Sequence, residues 1–266
     1  MIIDFHTHCF PDELAPKALG KLSAPAGRLP CTDGTANGSI NKMKESGVDI
    51  SVVCSIATNP RQQHKVNSFA VSLNDKKPNL IALGSLHPDS EEIEEELDYL
   101  IEHDIHGIKI HPEYSDYYID EPIWEKIFRA CEEKGVFIVT HAGYDFISPN
   151  RTAVTPKRLI RVLDKFPKLK IVAAHLGGNR YWDEVYDLLS GRENLWFDTA
   201  LVSTEGVSPE LVKKIIEKHG DDRILFGSDM PWSDPKNEIE FLRNLGLSED
   251  SYQKIFEKNA LNLLML

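Results

Sequence analysis

The stretch Val136–Gly143, VFIVTHAG, decides the fold, because it joins a continuously apolar run to a histidine at its end. The same arrangement returns in Lys170–Gly178, KIVAAHLGG. Runs that are apolar and β-branched throughout are typical of parallel strands buried on both faces. Strands of an antiparallel sheet would alternate apolar and polar residues more cleanly. The two stretches therefore predict neighbouring parallel strands.

Six further runs extend this pattern along the chain. The eight strand candidates are Ile2–Phe5, Ile50–Cys54, Leu80–Leu86, Gly107–Ile110, Val136–Thr140, Lys170–Ala174, Leu195–Asp198 and Ile224–Phe226. Between them lie amphipathic segments with one apolar stripe, which is typical of helices covering a sheet. These are Ile40–Ser46, Asn67–Asn74, Glu91–His103, Pro122–Lys134, Thr155–Phe166, Trp182–Leu189, Pro209–Lys218, Lys236–Leu245 and Glu249–Leu264.

Strict alternation of eight strands with helices predicts an α/β fold, a (β/α)8 TIM barrel, as one domain over residues 1–266. The alternative is an open, doubly wound sheet. No G-x-G-x-x-G motif follows the first strand, so the dinucleotide-binding form of that alternative has little support.

Composition narrows the class of partner. The net charge is -12 and no Lys/Arg cluster interrupts it, which argues against nucleic acid and membrane surfaces and favours a small molecule. The four cysteines, Cys9, Cys31, Cys54 and Cys131, show no C-x-x-C spacing, which fits a reducing compartment. No basic leader or long apolar run appears, so we expect a soluble cytoplasmic protein.

One long stretch, Ala24–Gly38, shows no helical or strand pattern and is rich in Pro, Gly, Thr and Asn. Long loops in compact domains are often functional. In a barrel this loop would lie at the end where the active site forms, so we predict a lid or a substrate-contacting loop.

Metal-binding residue types gather at the carboxyl ends of the predicted strands. His6 and His8 close strand 1, His141 and His175 follow strands 5 and 6, and Asp229 follows strand 8. This end of a barrel is where catalytic residues converge. The two-residue period of a strand predicts that Asp4, His6 and His8 share one face. Imidazoles with a carboxylate suit zinc or a similar divalent ion, with one position left for water.

Five motifs carry a resemblance to a known family. They are DFHTH (Asp4–His8), GIKIHP (Gly107–Pro112), VTHAG (Val139–Gly143), AAHLGG (Ala173–Gly178) and LFGSDMPW (Leu225–Trp232). In order and spacing they resemble the amidohydrolase superfamily, most closely the branch with aminocarboxymuconate-semialdehyde decarboxylase and related lactone and amide hydrolases. The resemblance spans residues 4–232.

The resemblance implies a ligand set and roles. His6, His8, His141 and Asp229 would hold one divalent ion per chain, zinc first and manganese second. His175 would position or deprotonate the attacking water, and Asp229 is the alternative proton carrier. A homodimer is also implied.

Other residues near the predicted site are assigned as substrate contacts. Arg180 is the first candidate anchor for a substrate carboxylate, because arginine binds carboxylates in a bidentate manner; pairing with Asp183 or Glu184 is the alternative. Lys109 would contact a substrate carboxylate or form a salt bridge, or, as a carboxylated lysine, bridge two metals. His111 would line the pocket, and Trp232 would stack on a planar substrate.

Three functions remain open from the sequence. The first is a metal-dependent hydrolase acting on a small lactone, amide or ester that bears a carboxylate. The second is a non-oxidative, metal-dependent decarboxylase of a small unsaturated or aromatic acid, which would use the same metal ligands. The third is a barrel that binds metal or ligand without turnover. Hydrolysis is preferred because it is the commoner chemistry in the superfamily that the motifs resemble.

Overall fold

The eight predicted strands are all present in the computed structural model, which describes residues 1–266 except for the side chain of Ala26. They are β1 Ile3–Thr7, β2 Ile50–Cys54, β3 Leu80–Leu83, β4 Gly107–Ile110, β5 Phe137–Thr140, β6 Ile171–Ala173, β7 Leu195–Asp198 and β8 Ile224–Leu225. Neighbouring strands are parallel and paired in chain order, β1 to β3 and β4 to β8.

Backbone hydrogen bonds join these two parallel sheets at both edges. At one junction the Gly84 N–H donates to the Gly107 carbonyl over 3.0 Å, and the Lys109 N–H donates to the Gly84 carbonyl over 2.8 Å. At the other junction the Phe5 N–H donates to the Phe226 carbonyl over 2.7 Å. The strands therefore close into a ring, and the TIM-barrel prediction is confirmed.

Helices cover the outside of this ring. They are α1 Ala15–Ala26, α2 Ala36–Ser46, α3 Gln63–Lys76, α4 Ile93–Glu102, α5 Glu125–Lys134, α6 Pro156–Lys165, α7 Trp182–Leu188, α8 Pro209–His219, α9 Pro235–Arg243, α10 Glu249–Gln253 and α11 Asn259–Leu264. A π-helical turn, Lys254–Lys258, connects the last two. No helix among the described residues is both long and apolar enough to cross a membrane.

Apolar side chains fill the barrel as the strand period requires. Phe5, Phe137, Val139 and Val172 point inward and belong to one buried cluster, with the rings of Phe5 and Phe137 6.0 Å apart. Residues on the opposite strand faces pack against the helices in a second cluster. The barrel is thus a packed core with room for chemistry only above it, at the carboxyl ends of the strands.

The prediction that Ala24–Gly38 has no regular structure is wrong in extent. The first residues of this stretch belong to α1 and its last to α2, so only residues 27–35 are loop. Two prolines hid α1 from the sequence pattern. Pro16 lies in the first turn, where no N–H is required, and Pro25 lies in the last turn. Gly27, with a φ of 63°, then ends the helix.

Strand β1 contains a bulge that corrects the predicted face of Asp4. Asp4 pairs with Ser51 and Thr7 pairs with Val53, so three steps along β1 match two along β2. The extra residue places Asp4 and Thr7 on the same face, opposite to His6 and His8. Bulges commonly re-aim a side chain next to an active site. Asp4 instead binds Ser228, accepting from its N–H at 2.9 Å and from its hydroxyl.

Candidate metal centre

Three of the predicted ligands meet at the carboxyl end of the barrel. The ligand atoms of His6, His8 and Asp229 all lie within 4.8 Å of one another. Asp229 Oδ1 is 3.3 Å from His6 Nε2 and 3.1 Å from His8 Nε2. Asp229 is held there by backbone pairing, because its N–H donates to the His6 carbonyl over 2.8 Å.

The hydrogen bonds of the other ring nitrogens assign the tautomers of both imidazoles. His6 Nδ1 lies 2.8 Å from the Asp198 carboxylate, and His8 Nδ1 lies 2.9 Å from the Cys54 carbonyl. Both partners only accept, so each Nδ1 carries the proton and each Nε2 presents a lone pair. Metal-binding histidines are commonly oriented in this way by a carboxylate or a carbonyl.

The lone pairs of His6 and His8 face the Asp229 carboxylate. The Lys109 ammonium, 3.5 Å from His6 Nε2, supplies part of the positive charge that this arrangement needs. A proton on one imidazole would relieve one of the two contacts with Asp229 but not both. An ion with ligands at about 2.1 Å holds neighbouring donor atoms roughly 3.0–3.4 Å apart, and the two observed distances fall in that interval. His6, His8 and Asp229 therefore fit a divalent metal.

Burial and charge set the protonation of this cluster. Burial, aided by the Lys109 ammonium, lowers the pKa of His6 to about 4, so the ring is neutral near pH 7. Burial acts to raise the pKa of Asp229, but a proton held by the neighbouring His8 or His6 ring outweighs it and lowers this pKa below its usual value. Neutral imidazoles and an ionised carboxylate are the forms that bind metal.

His141 and His175 form a second pair beside the cluster. His175 Nδ1 lies 3.2 Å from the Ala200 carbonyl, so its Nε2 accepts from His141 Nδ1, also over 3.2 Å. His141 Nε2 is left buried without a hydrogen-bond partner. The ligand atom of His141 groups with His111 and Asp145 rather than with His6, His8 and Asp229.

The predicted substrate contacts are placed at different depths. Lys109 is buried in the barrel, with its Nζ 3.5 Å from His6 Nε2. His111 is also buried and stacks on His141, with ring centroids 4.3 Å apart. Trp232 is half-buried, directly after the loop that carries Asp229. Their roles as substrate contacts stay predictions.

Arg180 lies at the mouth of the barrel and is 48% exposed. Its Nε donates to Glu205 over 3.2 Å, rather than to Asp183 or Glu184. Its guanidinium lies over the Tyr144 ring, 4.1 Å from the centroid. Arg28, from the loop at 27–35, binds the same Glu205 carboxylate, so this loop reaches the mouth of the barrel.

Sequence reasoning missed Asp198 and Asp145. Asp198 ends β7 at the same edge as the histidines, and its Oδ1 accepts from the N–H groups of His175 and Ala200 at 2.9 and 3.1 Å. Its position at a strand end was the signal that could have found it. Asp145 follows His141 by four residues in a loop, where no periodic pattern points to it.

Comparisons with known proteins agree with this architecture. The profile of the Amidohydro_2 family, described as amidohydrolase, matches residues 3–266. The chain belongs to this family, and it is an enzyme of the amidohydrolase superfamily. A search of curated proteins found no match.

Several solved structures share the fold. An uncharacterised TIM-barrel protein from Bordetella bronchiseptica is 18% identical, with 99% of this chain and 98% of that chain covered and a TM-score of 0.79. A 5-carboxyvanillate decarboxylase from Novosphingobium aromaticivorans with bound manganese is 15% identical, with coverage of 100% and 97% and a TM-score of 0.74. A candidate 2-pyrone-4,6-dicarboxylic acid hydrolase from Pseudomonas putida is 19% identical, with coverage of 99% and 97% and a TM-score of 0.70.

Proposed function

We propose that this protein is a metal-dependent hydrolase of a small lactone, amide or ester that bears a carboxylate. The observation that carries the proposal is the convergence of three metal-ligand atoms, His6 Nε2, His8 Nε2 and Asp229 Oδ1, at the carboxyl end of the barrel. Three protein ligands that leave coordination positions open are typical of a catalytic rather than a structural site.

A divalent ion held there would act as a Lewis acid toward a carbonyl oxygen and would acidify a water molecule. The ion proposed first is zinc, with manganese as the alternative. His141 remains the predicted fourth ligand from the resemblance. Neighbouring groups orient the two histidine ligands: the Asp198 carboxylate holds the His6 ring and the backbone carbonyl of Cys54 holds the His8 ring.

His175 is the proposed proton acceptor for the attacking water. Its Nδ1 proton is committed to the Ala200 carbonyl, so its Nε2, which accepts from His141 Nδ1 over 3.2 Å, is the nitrogen that would take the proton when the water replaces His141 as its donor. Asp229 is ionised and is the alternative acceptor. Arg180 is proposed as the anchor for the substrate carboxylate, because its exposed guanidinium stands at the only mouth that a barrel of this kind offers its substrate.

Decarboxylation of a small unsaturated or aromatic acid is the second candidate. A similar structure is a 5-carboxyvanillate decarboxylase, and the metal-binding residues proposed here serve either reaction. The two reactions differ in which group lies beside the ion. In hydrolysis it is the carbonyl to be attacked, whereas in decarboxylation it is the carboxylate that leaves.

Product analysis separates these candidates. The zinc-loaded and manganese-loaded proteins are incubated with carboxylated lactones, amides and hydroxybenzoates in water enriched in ¹⁸O. Hydrolysis predicts one ¹⁸O atom in the product acid and no carbon dioxide. Carbon dioxide release without ¹⁸O incorporation would replace the hydrolase by the decarboxylase.

The role of the metal has its own variant test. His8→Ala is compared with His103→Ala, which changes the exposed histidine that directly follows the last residue of α4. We expect His8→Ala to lose activity and metal together, and His103→Ala to keep both. Activity that survives in His8→Ala at the wild-type level would contradict catalysis by the metal centre. A cytoplasmic location and a homodimer stay predictions from the sequence.

A further inference from the structure

Two buried polar atoms just after β5 have no hydrogen-bond partner. They are Nε2 of His141, which directly follows the strand, and Oδ2 of Asp145, four residues further along the chain. Both residues are 6% exposed. A ring nitrogen of His141 and a carboxylate oxygen of Asp145 lie within 4.8 Å of each other. Because an unpaired buried polar group is costly, two of them this close together suggest that they serve each other.

A second imidazole and a second carboxylate stand beside this pair. The ring of His111 stacks on that of His141, with centroids 4.3 Å apart and planes inclined by 11°. Parallel rings at this distance direct their N–H groups in separate planes, so each ring needs its own acceptor. Glu113 is the carboxylate beside His111, since its Oε2 lies 3.3 Å from His111 Nδ1. Asp145 is thereby left for His141.

The two ring nitrogens of His141 face different groups. Nδ1 donates to His175 Nε2 over 3.2 Å, because the other nitrogen of His175 binds the Ala200 carbonyl. The ring of His175 in turn lies beside the ring of His6, with centroids 5.2 Å apart. Nδ1 is therefore the nitrogen of His141 on the side of the candidate metal centre, whereas Nε2 is the nitrogen left for Asp145.

A histidine that binds a metal presents a lone pair to it. Burial lowers the pKa of His141 well below 6.5, so the ring is neutral and carries a single proton. For Nδ1 to act as a ligand, this proton has to move to Nε2, where it needs an acceptor. Metal-binding histidines commonly donate their other N–H to a carboxylate, which fixes the tautomer and the direction of the ring.

Asp145 is able to make this contact without movement of its backbone. The Tyr144 N–H donates to the Asn179 carbonyl over 2.9 Å, which ties the loop after β5 to the loop after β6. The two loops approach so closely that a Cβ on Gly143 would lie 2.1 Å from the Asn179 nitrogen. The last torsion of an aspartate side chain, in contrast, has a broad range. Rotation of the carboxyl group therefore turns an oxygen toward His141.

We infer that Asp145 is a positioning residue of the metal centre, whose carboxylate accepts the Nε2 proton of His141 and so directs the Nδ1 lone pair toward the ion. The inference rests on the proposed function, in which His141 is the fourth ligand. It pairs the two unpartnered atoms with each other. It also frees His175, because a His141 that no longer donates through Nδ1 leaves the Nε2 of His175 to a water molecule. Asp145 thus does for His141 what Asp198 does for His6.

Zinc affinity tests this inference without reference to activity. The full-length wild type, Asp145→Ala and Glu113→Ala compete for Zn²⁺ with a chromophoric chelator. Glu113→Ala is the matched control, because it removes a similarly buried carboxylate that stands beside His111, which is not among the proposed ligands. We expect Asp145→Ala to lose roughly 10- to 100-fold in zinc affinity and Glu113→Ala to keep the wild-type value.

Histidine NMR supplies a readout that a merely structural role of Asp145 would not move. His141→Gln assigns the signals of the His141 ring. We expect the His141 proton on Nδ1 in the apoprotein and on Nε2 in the zinc-loaded wild type. The Nε2 proton should resonate at low field, as a proton shared with a carboxylate does, and should shift upfield in Asp145→Ala but not in Glu113→Ala.

Several outcomes would overturn the inference and leave the proposed function intact: wild-type zinc affinity in Asp145→Ala, an equal loss in Glu113→Ala, or a His141 proton that stays on Nδ1 in the zinc-loaded wild type. Wild-type zinc affinity in His8→Ala would contradict the proposed function instead. Circular dichroism confirms that each variant is folded. If the alanine variants do not fold, Asp145→Asn and Glu113→Gln replace them, with a loss nearer to about tenfold in Asp145→Asn because asparagine keeps a neutral acceptor.

Discussion

Asp198→Asn is expected to lower the metal affinity of the site formed by His6, His8 and Asp229, although Asp198 is not itself a metal ligand. The Asp198 carboxylate uses one oxygen for the His175 and Ala200 N–H groups and the other, at 2.8 Å, for His6 Nδ1. The amide of asparagine keeps one acceptor but turns a donor toward one of these donors. His6 then relieves the conflict by moving its proton to Nε2, which removes the lone pair that the metal needs.

Outer partners of metal-binding histidines typically contribute roughly 10- to 100-fold in metal affinity, and we expect a loss in that interval because the Asp198 carboxylate contacts His6 Nδ1 directly. The apoprotein is destabilised as well. Burial alone would raise the pKa of Asp198, but the hydrogen bond from His6 and the positive charge around it, including that of Lys109, hold this pKa below its usual value. The ionised carboxylate therefore contributes stability that is present above its usual pKa and is lost as the pH falls through the lowered one.

The assay is competition for Zn²⁺ against a chromophoric chelator, with urea unfolding of the apoprotein alongside. Asp187→Asn is the control, since Asp187 is an exposed aspartate on α7. Histidine NMR of the apoprotein reports which nitrogen of His6 is protonated. Wild-type affinity combined with a shifted His6 proton would refute the argument that the Nε2 lone pair binds the metal.

Three further predictions concern stability and substrate binding. Burial lowers the pKa of His219 to about 4 from 6.5, so the fold should lose about 3 kcal/mol as the pH falls from 6.5 to 4, measured by urea unfolding; His219→Gln should flatten that decline, and an unchanged slope would contradict it. Phe137→Ala should cost about 3–5 kcal/mol, because this buried ring fills the barrel beside Phe5; a loss below 1 kcal/mol would mean that the cavity collapses. Arg180→Ala should raise KM for an anionic substrate roughly 10- to 100-fold with little change in kcat, whereas an equal effect on an uncharged analogue would exclude a carboxylate anchor.

Much of the metal centre could be predicted from the sequence, because its candidate ligands lie at the ends of apolar strands. A parallel barrel brings the carboxyl ends of its strands to one rim, so His6, His8 and Asp229 had to meet once the strands were recognised. Side-chain direction was less accessible. The bulge in β1 depends on pairing with β2, and a one-residue shift moves Asp4 to the opposite face.

Loop residues escaped prediction for a related reason. Asp145 lies on a loop that is held by hydrogen bonds between Tyr144 and Asn179, and Arg180 binds Glu205 across a contact between two loops. Such contacts join segments whose relative positions no local pattern encodes.

The sequence by itself determined the barrel, its strand order and the residue types at the rim, because hydrophobic period and strand ends are local properties of the chain. Only the tertiary structure decided which nitrogen of each histidine faces the site, that Asp198 orients His6, and that His141 groups with His111 and Asp145. These depend on hydrogen bonds and packing between residues far apart in sequence, which form only when the ring of strands has closed.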